Sequence, residues 1–249
     1  MNVVVQGASR GIGLEFVRQN LAAPHVAHVV ATCRAPDAAT ELQELRSANP
    51  GRLDILRLDL TDEESIRSAA AQAASLLGRA HLIVNCGGVL HDERHGMRPE
   101  KRLADLRADA LARAFAVNAT GPLLVARHFE PLLAHRDRAV FATLSARVGS
   151  IGDNRLGGWY AYRASKAAQN QFTRTLAVEW ARSRRNVIVV ALHPGTTDTD
   201  LSRPFQGNVP AGKLFGVDRA VSQLLGVIDR LRPEDSGQFF AWDGERIPW

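Results

Sequence analysis

Two residues four positions apart carry the most chemistry in this chain. Tyr162 and Lys166 lie in Tyr160-Ala161-Tyr162-Arg163-Ala164-Ser165-Lys166, at the start of a segment with helical spacing, so they share one helix face. A nearby ammonium lowers a phenol's pKa from about 10 and makes it a proton donor and acceptor near neutrality. Helices also carry Tyr and Lys at this spacing by chance, so the pair alone decides nothing. Tyr160 has Ala164 at its fourth position and reads as packing.

A second constellation can hold phosphate. Gln6-Gly7-Ala8-Ser9-Arg10-Gly11-Ile12-Gly13 joins a short apolar run to a helical segment. Gly7 permits a tight turn, Gly11 lets the backbone approach a pyrophosphate, and Gly13 lets helix and strand pack closely. Free N–H groups and the positive end of the helix dipole then bind the anion. The glycines are spaced three then one residue apart, not one then two as in the usual dinucleotide turn. A plain strand-to-helix turn is the alternative. The next apolar run ends Ala31-Thr32-Cys33-Arg34, with no acid at its tip. An acid there would bind the ribose 2′-hydroxyl of NAD, whereas Arg accepts a 2′-phosphate bidentately. Arg34, helped by Arg10, points to NADP(H); a solvated surface arginine is the alternative.

These groups must be positioned by strands and helices, and the chain alternates between the two. Strand-like runs cover residues 3–5, 26–32, 53–58, 81–84, 139–144, 187–192 and 238–242, and helical spacing covers 12–21, 63–77, 104–116, 121–133, 160–182 and 219–231. Strands without polar alternation are buried on both faces, as a parallel sheet requires. The pattern predicts an α/β fold: one doubly wound, Rossmann-type parallel sheet of about seven strands with helices on both faces. No repeat or linker divides the chain, so residues 1–249 form a single domain. The polar segments 90–102 and 196–215 follow strands and should emerge at the carboxyl edge, where such folds bind ligands. Plain surface insertion is the other reading of both.

Taken together, the motifs resemble a known family. Gly7-x-x-x-Gly11-x-Gly13, Asn85-Cys86-Gly87-Gly88, Asn118, Ser145, Tyr162-x-x-x-Lys166 and Pro194-Gly195 occur in the order and approximate spacing of the short-chain dehydrogenase/reductases, over essentially the full chain. The end of the chain, residues 237–249, together with Ala31-Thr32-Cys33-Arg34, looks like the subgroup of C-factor-type proteins and Sniffer-type carbonyl reductases. The resemblance implies that Tyr162 is the general acid and Ser145 orients the carbonyl. It implies that Lys166 bonds the nicotinamide ribose and lowers the tyrosine pKa, and that Asn118 holds a water linking Lys166 to solvent. It places Asp59, with Leu60, at the adenine, Asn85 and Gly87 against the cofactor, and Pro194, Gly195 and Thr197 beside the nicotinamide. Ser9, Arg10 and Ile12 complete the phosphate turn.

Three departures stand out. Gln6 replaces the family's usual Thr, and Cys86-Gly87-Gly88 replaces its Asn-Ala-Gly, which puts local turn stability in question. Ser145 and Tyr162 are 17 positions apart, wider than usual, with the excess in the Gly-rich segment 147–158. Ser150 is nearer Tyr162, but it lies beyond the strand, so Ser145 is preferred for the serine role.

The resemblance implies an NADP(H)-dependent oxidoreductase acting on a small-molecule carbonyl or alcohol, in the reductive direction, with a cleft built by segments 90–102, 147–159 and 196–215. An NAD(H)-dependent alcohol dehydrogenase and a dinucleotide-binding signalling protein are the alternatives. It also implies a homodimer or homotetramer, with the helices holding Asn118 and Tyr162 at the contacts, although monomeric members exist.

Composition excludes several other classes. With 249 residues, 45% hydrophobic and 23% charged, the chain matches a soluble globular protein and not a disordered or disulfide-rich one. A net charge of +5 spread along the chain gives no nucleic-acid signature, and Arg182-Ser183-Arg184-Arg185 reads as a solvated helix end. No apolar run approaches the roughly 20 residues of a membrane helix. Two cysteines, Cys33 and Cys86, suit a reduced cytoplasmic setting. His91 and His95 are four apart but flank a loop-like Asp92-Glu93-Arg94, and no metal is expected. Cys86 lacks a base partner and reads as a small buried residue. Trp159, Phe205, Phe215 and Trp242 line a substrate pocket or pack the interior.

Overall fold

A computed structural model describes residues 1–183, 186–210 and 212–249. The apolar runs become strands β1 (Asn2–Gln6), β2 (His28–Cys33), β3 (Leu53–Arg57), β4 (Leu82–Asn85), β5 (Ala139–Leu144) and β6 (Val187–His193). A two-residue pair, β7 (Thr196–Thr197) and β8 (Leu214–Phe215), precedes the last strand, β9 (Gln238–Ala241). Seven of them form one parallel sheet in the order β3-β2-β1-β4-β5-β6-β9. The order reverses between β1 and β4, and the crevice outside the carboxyl ends at such a switch point is where doubly wound sheets bind ligands. Register keeps these ends level: Gln6 pairs with Thr32 on one side and with Asn85 on the other. The glycine turn, the Cys33-Arg34 tip and the Asn85-Cys86 loop therefore leave the sheet side by side.

Alternation along the strands fills both faces. Val3 and Val5 pack with Phe16 of α1 (Gly11–Ala22), Leu42 of α2 (Thr40–Ala48) and Leu224 of α7 (Val217–Arg230). Val4 packs with Ile66 of α3 (Glu63–Leu77), Phe129 of α5 (Gly121–Phe129) and Trp180 of α6 (Tyr160–Ser183) on the other face. Each such side chain contributes about 1.5–3 kcal/mol when fully buried. Asp62 caps α3 by accepting from the Ser65 N–H at 3.1 Å, a contact worth roughly 1 kcal/mol.

The helices depart from expectation in three places. The segment predicted at 104–116 starts later, as α4 (Ala108–Phe115), because Leu103–Asp105 forms a separate 3₁₀ turn. α4 then passes through a widened π turn, Ala116–Thr120, into α5. Helix α2 was not foreseen: it has nine residues and buries only Leu42, too little for a clear period. The segment 196–215 is not wholly irregular, since it holds β7, β8 and a 3₁₀ turn at Arg203–Asn208. Arg184 and Arg185 of the basic cluster lie outside the described residues. Among the described residues no helix is long and apolar enough to cross a membrane.

Candidate active site

The glycine turn is built by contacts that leave no room for a side chain at Gly7 or Gly13. Gly7 and Ala8 both donate their N–H to Thr32 O, each at 2.9 Å. Gly7 has φ +80°, and a Cβ there would stand 2.7 Å from Gly87 N. A Cβ on Gly13 would lie only 2.1 Å from Gly7 O, so α1 starts in contact with the turn it follows. The Gln6 side chain accepts the Gly87 N–H at 3.0 Å. The two departures at Gln6 and Cys86-Gly87 thus answer each other, because Gln6 ties the turn to the loop after β4. Gly11, between Ser9-Arg10 and Ile12-Gly13, has φ +55° and faces Thr199.

The turn after β3 carries charge. Asp59 Oδ1 accepts from the Thr61 N–H at 2.9 Å and the Thr61 hydroxyl at 2.8 Å. Burial alone would raise the Asp59 pKa, but these bonds and the charges of Arg34 and Arg57 outweigh it and hold it below its ordinary value. Leu60 is buried, its Cδ1 at 2.8 Å from where a Gly87 Cβ would sit. Arg34 is exposed at the end of β2. The exposed Arg10 guanidinium bonds Asp200 at 3.1 Å, a surface pair worth at most about 1 kcal/mol. At the end of β4, both carboxamide atoms of Asn85 are buried without a hydrogen-bond partner. An orphaned buried polar group costs about 1–3 kcal/mol. A turn closed to a Cβ at Gly7 and Gly13, an orphaned amide and a basic tip fit a dinucleotide.

Tyr162 and Lys166 fall on the first two turns of α6, as their spacing predicts. Lys166 is buried, its Nζ donating to Leu144 O at 2.8 Å and Gln169 Oε1 at 2.9 Å, and lies 5.9 Å from the Tyr162 ring centroid. Burial lowers Lys166 from 10.5 to about 7. Burial also pushes the Tyr162 phenol above its usual value, so the lowering expected from the ammonium does not dominate among the protein's own groups. Burial dominates at Tyr162, and Lys166 spends its protons on other acceptors. Asn118 sits in the π turn, fully buried, and its carboxamide is fully used. Its Oδ1 accepts from Val89 N at 2.7 Å, and its Nδ2 donates to Val89 O at 2.8 Å and to Ser165 Oγ at 3.0 Å. It joins the loop after β4 to the helix that carries the pair.

Ser145 is engaged within the protein. Its Oγ donates to Asn170 Oδ1 at 2.6 Å, deep in the interior. The reason is strand alternation: Phe141 packs on Trp180, and Thr143 lines a small cavity with Gln169 and Thr173. Ser145 continues that series toward α6, and the next residue, half-buried Ala146, has no hydroxyl. Ser150 is no substitute, since its Oγ accepts the Asp153 N–H at 3.2 Å within its own loop. Asn170 completes the latch by donating to Gly149 O at 3.4 Å.

The three loops expected around a substrate meet near Tyr162. Trp159 contacts the Tyr162 ring at 6.2 Å and Phe205 at 5.0 Å, and Phe205 meets His91 at 6.0 Å. His91 Nε2 lies 3.2 Å from Asp200 O, which ties segment 90–102 to segment 196–215. His95 instead pairs with Asp92 at 2.8 Å, and no metal-binding cluster occurs among the described residues. Phe215 and Trp242 meet edge-to-face at 4.9 Å beside the Pro194-Gly195 turn, where a Gly195 Cβ would strike Phe215 at 2.6 Å. Thr197 is buried just beyond. His193 is held neutral, its pKa lowered to about 4 by burial. Burial likewise raises the Cys86 thiol, which leaves it no nucleophile.

Sequence reasoning did not find Gln169, Asn170 and Glu100. The first two lie one helical turn past Lys166 on its face, which the spacing shows once Lys166 is chosen. Glu100, buried at 3% exposure in a polar loop, has no signal in the sequence.

Comparison with known proteins agrees with this fold. The profile of the family described as short chain dehydrogenase matches residues 1–209. An NADPH-bound carbonyl reductase from chicken fatty liver superposes with a TM-score of 0.88 at 33% identity, covering 100% of this chain and 98% of that one. The carbonyl reductase Sniffer of D. melanogaster gives 0.87 at 26% identity, over 100% and 99%. The C-signal protein of Myxococcus xanthus is 37% identical over 147 residues, 59% of this chain and 83% of that protein.

Proposed function

Because the chain belongs to the short-chain dehydrogenase family, we propose that this oxidoreductase is an NADP(H)-dependent carbonyl reductase with Tyr162 as its general acid. The observation that carries the reading is the buried Tyr162–Lys166 pair at the carboxyl edge, beside a turn shaped for phosphate. The likeness to a carbonyl reductase with NADPH bound supports the same cofactor and substrate class.

Bound nicotinamide supplies the hydride that reduces the carbonyl carbon. The protein's own groups manage the oxygen. Tyr162 Oη donates a hydrogen bond to the carbonyl oxygen and then its proton; burial keeps the phenol protonated but opposes the phenolate, so the transfer needs a neighbouring positive charge. The Lys166 ammonium, 5.9 Å from the ring centroid, stabilises the phenolate that remains. Asn118 and Gln169 fix the two turns of α6 that carry the pair. Half-buried Trp159 and Phe205 pack against each other beside Tyr162, where excluding water would strengthen each of these interactions. Ser145 is not asked to touch substrate.

Arg34 provides the cofactor test. Fluorescence titration with NADPH and NADH, on wild type and Arg34→Ala, should show tighter NADPH binding that falls about tenfold or more in the variant, with NADH unchanged. Equal binding of both cofactors by wild type contradicts the NADP(H) assignment. A second reading, a dinucleotide-binding signalling protein, draws on the likeness to the C-signal protein; it requires no Tyr162 hydroxyl.

A further inference from the structure

One carboxylate in segment 90–102 is buried against the helix that carries Tyr162. Glu100 is 3% exposed, whereas its neighbours Lys101 and Arg102 are exposed. It contacts the residues just before Tyr162 twice. Its main-chain oxygen accepts the Trp159 N–H at 2.6 Å, and its Oε2 accepts the Ala161 N–H at 3.3 Å. Both contacts fall where a helix leaves its first N–H groups without partners. A carboxylate at that end also opposes the positive pole of the 24-residue helix α6. The cap is thus supplied by a different loop and not by the residue preceding the helix.

The junction it grips is held in an unusual shape. Trp159 has φ +52°, the one non-glycine residue with positive φ among the described residues, and follows Gly157 and Gly158 at +63° and +64°. A Cβ on Gly158 would stand 3.3 Å from Glu100 O. From the other side Arg163 Nε donates to Gly157 O at 3.2 Å and to Gly158 O at 3.0 Å. Trp159 in turn packs edge-on to the Tyr162 ring. Non-glycine residues keep such a conformation only where their surroundings over-determine it, and Glu100 and Arg163 are those surroundings.

We infer that Glu100 is a positioning residue: it docks segment 90–102 onto the start of α6 and so sets where Tyr162 stands. Its bearing on catalysis rests on the proposed reductase reading; its grip on the helix does not. The two are separated by an experiment with two arms on the full chain, using Glu100→Ala and the near-isosteric Glu100→Gln. Hydrogen exchange read by mass spectrometry needs no substrate. In Glu100→Ala, amides in 157–165 should exchange about tenfold faster or more, while those of β1 and α1 keep wild-type protection. Glu100→Gln retains an acceptor oxygen and should restore protection. In the second arm, NADPH reduction of a carbonyl should lose about tenfold or more in kcat in Glu100→Ala, with KM and NADPH affinity within about threefold, and Glu100→Gln should recover most of it. Wild-type protection of 157–165 in Glu100→Ala would overturn the inference. So would lost protection with undiminished kcat, or protection lost across the whole chain in both variants. A wild type that reduces no carbonyl sinks the reductase reading alone, and the exchange arm still decides whether Glu100 holds the junction.

Discussion

Burial, more than pairing, sets the protonation of the central residues. Lys166 is ordinarily protonated up to 10.5 and here only to about 7. Between those values the unfolded chain binds the extra proton and the folded chain does not. Stability from this group therefore rises with pH above about 7, and its burial penalty is full below that. Thermal denaturation without added cofactor should show wild-type Tm rising from about pH 7 to about pH 8.5 relative to Lys166→Met; parallel profiles would contradict a depressed lysine. Ser145 gives a second test at this scale. Ser145→Ala strands Asn170 Oδ1 and should cost about 1–3 kcal/mol of stability by urea denaturation, while kcat falls less than about tenfold. A loss of about 10²–10³ in kcat, as for an oxyanion donor, would return Ser145 to the carbonyl. Tyr162, Lys166 and the glycines were legible because their chemistry lies in type and spacing. The Ser145 contact with Asn170 was not legible, because spacing alone does not say which side of the sheet a residue faces, although Phe141 and Thr143 carry that information. Glu100 was invisible because only burial distinguishes it from the other acids of its loop.

At the scale of elements, the site is the meeting point of a strand end, a helix start and a loop. All seven strands of the main sheet were legible, since both faces are covered and the strands read as apolar runs. Helix α2 and the β7–β8 pair were not, because one buried leucine and two-residue strands give no period to detect. The π turn around Asn118 leaves no trace in composition, yet it lets one carboxamide bond both Val89 and Ser165. The closest approach of elements is at Gly13, and it makes a sharp prediction. Gly13→Ala forces α1 away from the turn and should cost about 1–3 kcal/mol or more in thermal denaturation. NADPH affinity should fall with it, since the phosphate turn is what moves. Unchanged stability and affinity would mean that helix and turn are not in contact as described.

Across the whole molecule, the parallel sheet brings distant segments to one edge. Arg10 of the phosphate turn bonds Asp200, His91 touches the same loop, and Phe205 reaches Trp159 beside Tyr162. The glycine turn, segments 90–102 and 196–215 and the start of α6 are thereby linked at one edge, an arrangement that suits the proposed reduction. The measurement that tests this account most directly is NADPH oxidation against a panel of aldehydes and ketones, with wild type beside Tyr162→Phe and NADPH binding measured on both. The account predicts turnover by wild type that drops at least about 10²-fold in the variant, with NADPH affinity retained within about threefold. Turnover that survives the loss of the hydroxyl, or a wild type that binds NADPH and reduces nothing, would contradict it and favour the signalling reading.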